Sequence, residues 1–215
     1  MSSTMKGTQE KNIGLPAVLT HPNMALRVIN LITLYRIITF PLLIYLVLTN
    51  HLSLFKWLLA VSFFTDAIDG YLARGFNVSS VLGAKLDSIG DDLTVLAGIV
   101  GLAHTRLEFI KEQWLMIAIL IVLFGIQLTI ALLKYKKMSS FHTYLAKMAA
   151  VVSAIFLLST FFFDLYYWLF YTAVIITAVE LLEEIILVII IPKWKVNVKG
   201  IYWVLKERKK TAKLL

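Results

Sequence analysis

Four aspartates, Asp66, Asp69, Asp87 and Asp91, lie close together in a stretch hydrophobic enough to sit within a membrane. Insertion scales charge roughly 2.5 to 3.5 kcal/mol for each such residue at a helix centre, so clustered intramembrane acids point to function. If the flanking segments are helical, Asp66, Asp69, Gly70 and Ala73 fall at i, i+3, i+4 and i+7 and share one face. Gly83, Asp87, Gly90 and Asp91 do the same on the next helix at i, i+4, i+7 and i+8. Each face pairs two carboxylates with residues small enough to let a ligand or a neighbouring backbone approach. An oxygen-only donor set of this kind suits hard divalent ions such as Mg²⁺, Mn²⁺ or Ca²⁺. Arg74, one turn beyond Gly70, adds a planar cation suited to phosphate.

The pattern D-x-x-D-G-x-x-A-R, eight residues, then G-x-x-x-D-x-x-x-D resembles the signature of the CDP-alcohol phosphatidyltransferases, with every signature position filled. Asn30, Thr33 and Arg36 resemble the N-x-x-T-x-x-R stretch that opens many bacterial members, and the likeness is to the bacterial, phosphatidylglycerophosphate synthase-like branch. The resemblance implies transfer of a phosphatidyl group from a CDP-linked lipid donor to an alcohol, with release of CMP. It implies that Asp66, Asp69, Asp87 and Asp91 hold Mg²⁺ or Mn²⁺ in a two-metal site and that Asp91 is general base. It also implies that Gly70, Ala73 and Gly83 make room for the cytidine end and that Arg74 steadies the diphosphate. Asp66, Thr33 and Arg36 are expected on the nucleotide side, and the family is commonly homodimeric.

In a chain of 215 residues, 60% hydrophobic content exceeds the apolar content of ordinary soluble domains. The expected fold is an all-α integral membrane bundle. With about 20 apolar residues needed per span, six spans are expected, near 31–49, 54–75, 82–104, 114–134, 146–163 and 167–191. Residues 1–30 form a leader with an amphipathic interfacial helix opening at Pro22, 31–191 the six-helix domain, and 192–215 a basic surface tail. No signal-peptide pattern precedes the first span, which is expected to stay in place. All but Lys56, Arg106, Lys111 and Arg36 of the 21 Lys and Arg residues fall on one side. Both termini and the aspartates are therefore expected to face the cytoplasm, across a bacterial inner membrane. Trp57, Trp114 and Trp168 mark the opposite interface, and the absence of cysteine excludes disulfides and thiolate sites.

Outside the signature, Arg36 is read as snorkelling to headgroups or as touching the nucleotide. Lys85, Lys147, Lys137 and His142 are the candidates for an acceptor that carries its own phosphate, with Lys147 resembling the first lysine of a G-K-x-K-T stretch whose second lysine is Ala149 here. Lys134 and Lys136 read as surface anchors, and Asp92 lies off the ligand face. Glu180, Glu183 and Glu184 occupy a depth similar to that of the aspartates, and Glu180 and Glu184 are expected to pair with Lys147 or Arg36. The tail, with Ile201, Val204 and Leu205, suggests a helix on anionic lipid and no nucleic-acid partner. Glycerol 3-phosphate is the expected acceptor, with inositol phosphate, phosphatidylglycerol and an amino alcohol open. A cation transporter could also use intramembrane acids, and a non-catalytic lipid-binding scaffold could keep the fold.

Overall fold

The computed structural model describes residues 24–75, 81–137, 139, 141, 143–194 and 198–212, and their side chains except those of 24–30, 67, 69–75, 81–85, 87 and 209–212. Residues 1–23 of the expected leader, Pro22 among them, lie outside the described residues, as does His142. Eight helices are described: α1 Met24–Leu48, α2 Leu52–Gly75, α3 Val81–Thr105, α4 Leu107–Glu112, α5 Trp114–Tyr135, α6 Tyr144–Phe162, α7 Tyr167–Ile190 and α8 Ile201–Ala212. The described residues contain no strand.

From Met24 the anticipated interfacial segment is instead the first turns of α1, running unbroken to Leu48. Nothing between Met24 and Pro41 interrupts the backbone hydrogen-bond ladder, and Pro41 itself sits inside the helix. The short α4, six residues between the third and fourth long helices, has no counterpart in the sequence reading.

Three helices, α1 from Leu31, α5 and α6, are long and apolar enough to cross a membrane by length and composition. Among the others, α2 and α7 have 24 residues and α3 has 25. At 1.5 Å per residue each reaches about 36 Å, longer than a hydrocarbon core of about 30 Å. These three helices carry the acids.

Packing puts α1 against both α2 and α3, each contact more extensive than that of α2 with α3. Helix α6 touches α2, α3 and α7, while α5 and α8 lie against α7. Leu43, Val47, Phe55, Leu59 and Ala97 close the end of the first three helices away from the aspartates. Phe109, Phe156, Leu157 and Phe170 join α4 and α6 to α7. Two glycines allow the close approach: a Cβ on Gly98 would stand 2.6 Å from Leu157 Cδ1, and one on Gly101 2.6 Å from Phe55 Cζ. At the aspartate end, Ala131, Phe141, Leu187, Val188 and Ile191 form a third cluster.

That third cluster corrects two further readings. Ile201 and Val204 of α8 pack inward on it, so the lipid-facing candidates on α8 are Tyr202, Trp203 and Leu205, which are exposed. Lys134 is not simply a surface anchor. Its Nζ donates to the carbonyls of Val188 and Ile189 at 2.9 Å, Tyr135 Oη to Ile191 at 2.7 Å, and Arg208 Nη2 to Ile190 at 2.6 Å. Together they satisfy carbonyls that the end of α7 leaves without intrahelical partners. At the far end Trp57, Trp114 and Trp168 are all exposed, as an interfacial belt requires.

Candidate functional site

The centre of the site is a buried arginine. Arg36 is 1% exposed and is the largest of the wholly buried side chains among the described residues. Its Nη1 donates to Asp66 Oδ1 at 2.7 Å, and its Nη2 donates to Asp91 Oδ1. One planar cation from α1 thus holds a carboxylate from α2 and one from α3. Thr33, one turn earlier on the same face, is equally buried. Gly90 supplies the flat wall: a Cβ there would meet Arg36 Cζ at 3.4 Å, and Nε and Nη2 at 3.5 Å.

Asp66 and Asp91 differ from Arg36 in remaining open, with side chains 32% and 34% exposed. A carboxylate can therefore meet the arginine on one side and a ligand on the other. This placement corrects the snorkelling reading of Arg36, because the guanidinium is spent on carboxylates in the protein interior and does not reach the headgroups. The reason is electrostatic: two acids at this depth need a counter-charge, and an arginine fork can serve both.

The other signature residues are placed by their helices alone. Asp69, Gly70, Ala73 and Arg74 continue α2 beyond Asp66, and Gly83, Lys85 and Asp87 precede Asp91 on α3. Their side chains lie outside the described ones. Asp92, next to Asp91 on α3, lies close enough to Glu180 and Glu184 of α7 for their charges to act on one another.

Glu184 has a structural role with other partners than those expected. Glu184 Oε2 accepts from Gln127 Nε2 at 2.6 Å and from Ser139 Oγ at 2.9 Å, in place of the anticipated pairing with Lys147 or Arg36. Gln127 is buried on α5, so this bond joins α5, α7 and the loop between α5 and α6. Glu183 Oε1 accepts the backbone N–H of Ile201 at 3.0 Å, capping the start of α8, where an acid also favours the helix dipole. Gly200, at φ +144, is required there, since a Cβ would come 3.0 Å from Glu183 Oε1. Neither Gln127 nor Ser139 was singled out by the sequence, because a lone amide and a lone hydroxyl carry no spacing signal.

Of the acceptor candidates, Lys147 is exposed near the start of α6, with Nζ 5.5 Å from the centre of the Tyr144 ring. Lys137 lies over Trp194 at 5.2 Å. Thr143, whose side chain accepts from Ala146 N–H, caps α6 and fixes where Lys147 falls.

With this geometry in view, the profile of the CDP-alcohol phosphatidyltransferase family matches residues 26–179, which contain Arg36 and all four signature aspartates. The chain belongs to that family. A CDP-diacylglycerol–glycerol-3-phosphate 3-phosphatidyltransferase of Wigglesworthia glossinidia brevipalpis is 30% identical over 103 residues, 46% of this chain and 54% of the relative. A CDP-diacylglycerol–inositol 3-phosphatidyltransferase of Saccharomyces cerevisiae is 44% identical over 62 residues, 29% of this chain and 28% of the relative. A cardiolipin synthase (CMP-forming) / mitochondrial hydrolase fusion protein of Schizosaccharomyces pombe is 36% identical over 62 residues, 29% of this chain and 10% of the relative. The chain thus spans from a tenth to about half the length of these relatives. No solved structure matches it.

The divalent ion that such a family implies fits the donors present. Asp66 and Asp91 are open carboxylates on adjacent helices, and the described site offers no soft ligand. Among the described residues no group of three or more His, Cys, Asp or Glu is arranged to hold an ion, Asp69 and Asp87 being outside that description.

Proposed function

We propose that this protein is a multi-pass membrane transferase that moves the phosphatidyl group of CDP-diacylglycerol to an alcohol and releases CMP. The observation that carries the reading is the meeting of Asp66 and Asp91, the first and last acids of the family signature, on one arginine. Asp66, Asp69, Asp87 and Asp91 are assigned as holders of Mg²⁺ or Mn²⁺, which when bound would neutralise charge on the diphosphate and align it. Asp91 is the general base. It takes the proton of the acceptor hydroxyl as that oxygen forms its bond to the lipid-side phosphorus, while the bond from that phosphorus to the CMP oxygen breaks and CMP leaves with the electron pair. Gly70, Ala73 and Gly83 give the cytidine end room, and Arg74 binds the diphosphate.

The remaining assignments rest on the same reading. The six long helices all span, the aspartates face the cytoplasm with both termini, and the membrane is a bacterial inner membrane. The catalytic domain gives way to the basic tail at about 191, and the protein works as a homodimer. Glycerol 3-phosphate is the first-choice acceptor, supported by the relative matched over the longer stretch. An inositol-type acceptor is the second, supported by the yeast relative that is 44% identical over a shorter stretch of 62 residues. Lys85, Lys147, Lys137 and His142 would serve the acceptor's own charge. The test is to incubate the purified protein with CDP-diacylglycerol and each acceptor separately and to identify the lipid formed. Phosphatidylglycerophosphate is expected, and product only with an uncharged alcohol would reject the acceptor assignment.

A further inference from the structure

Arg36 occupies a position that a substrate contact does not explain. It is sealed from solvent, its two terminal nitrogens are directed to Asp66 and Asp91, and the flat side of the guanidinium lies on Gly90. An arginine cannot release its charge by deprotonation. Its charge is therefore permanent at the junction of α1, α2 and α3. The carboxylate oxygens it engages belong to the same pair of acids that a divalent cation would use.

We propose that Arg36 is the built-in rival of the divalent cation: it neutralises Asp66 and Asp91 and holds α2 and α3 together until the cation binds, and it weakens cation binding by competing for their charge. This rests on the assignment of Asp66 and Asp91 as metal ligands. Arg36 is thus a positioning residue that acts through the two acids. Its position makes both acids answer to one group, so that the site keeps its shape with or without the ion. The cost is paid in metal affinity, because a fixed positive charge beside the ligands opposes a second one.

Two variants separate this role from a diphosphate contact. Arg36→Gln removes the charge, and Gly90→Val keeps every charge but places methyl groups where the guanidinium lies. Each is compared with the wild type in detergent, without any nucleotide, by thermal unfolding in EDTA and in Mn²⁺ and by counting free Mn²⁺ from its electron paramagnetic resonance signal. In EDTA both variants should unfold at lower temperature than the wild type, and Mn²⁺ should raise their Tm by more than it raises the wild type's. Arg36→Gln should bind Mn²⁺ roughly tenfold more tightly, the order expected when one nearby charge is withdrawn from a partly buried site. Unchanged or weaker Mn²⁺ binding by Arg36→Gln would overturn the proposal alone. An Arg36→Gln protein too unstable to isolate leaves the decision to Gly90→Val, where a Tm rise no larger than the wild type's would overturn it. A wild type that binds no Mn²⁺ would overturn it together with the metal assignment, and CMP release enters none of these readings.

Discussion

Asp91→Asn should mainly remove the proton-accepting role of the signature's last carboxylate, because Asp66, Asp69 and Asp87 remain to hold the ion. Asparagine has nearly the same shape and still offers Arg36 Nη2 an oxygen acceptor, so the link between α1 and α3 is kept as a neutral-acceptor bond. Exchanging a bond between two charged groups for one with a neutral acceptor costs on the order of 1 kcal/mol. Asp66 remains to balance Arg36 at 2.7 Å. Loss of a general base removes 10²- to 10⁴-fold in rate, about 2.7 to 5.5 kcal/mol of barrier. The catalytic loss should therefore exceed the structural one severalfold. The assay is CMP release at saturating Mn²⁺ and donor, accompanied by a binding measurement with CDP-diacylglycerol and by thermal unfolding. The expected result is turnover reduced by at least about 100-fold with donor still bound. Turnover within a few-fold of wild type would refute the assignment of Asp91 as base.

Further predictions concern the acceptor, the packing and the topology. Lys147→Ala should raise the acceptor KM about tenfold and leave the donor KM nearly unchanged, read from initial rates with each substrate varied in turn; equal losses would return Lys147 to a structural role. Gly101→Ala should lower stability by about 1 to 3 kcal/mol in thermal or denaturant unfolding because its Cβ would meet Phe55 and Phe161. Gly98→Ala should be milder than Gly101→Ala, since the atom it meets first is the end of a leucine side chain. Single cysteines introduced into this cysteine-free chain at Ser79 and Thr211 should be shielded from an impermeant reagent outside intact cells, and one at Lys111 should react. Labelling at Ser79 but not at Lys111 would invert the topology.

The long helices and the signature were legible because both leave a periodic record. Apolar runs locate α2, α3 and α5 to α7 within a few residues and α1 at its C-terminal end, and spacing alone places Asp66 and Asp69 on one face and Asp87 and Asp91 on another. What spacing cannot show is a partner from elsewhere in the chain. Arg36 lies 30 residues from Asp66 and 55 from Asp91, so its choice of two carboxylates over the headgroups is decided by how α1 packs. The same holds for Glu183 and Glu184, whose bonds to Ile201, Gln127 and Ser139 depend on the packing of α5, α7 and α8. Helix α4 was missed because six residues hold fewer than two turns, too few for a pattern. The tail was read as a helix, but its inward face was misassigned: Ile201 and Val204 cover the end of the bundle, a contact that hydrophobicity alone does not distinguish from lipid.

We propose that the acids gathered beside Arg36 run a metal-assisted phosphatidyl transfer from a CDP-linked lipid. The most direct measurement is CMP production by the purified, detergent-solubilised protein given CDP-diacylglycerol and glycerol 3-phosphate, with Mn²⁺ or Mg²⁺ and with EDTA. CMP and a new phospholipid should form in equal amounts when the divalent ion is present, and neither when it is chelated. CMP formed equally well in EDTA, or no CMP under either condition with the full panel of acceptors, would contradict it.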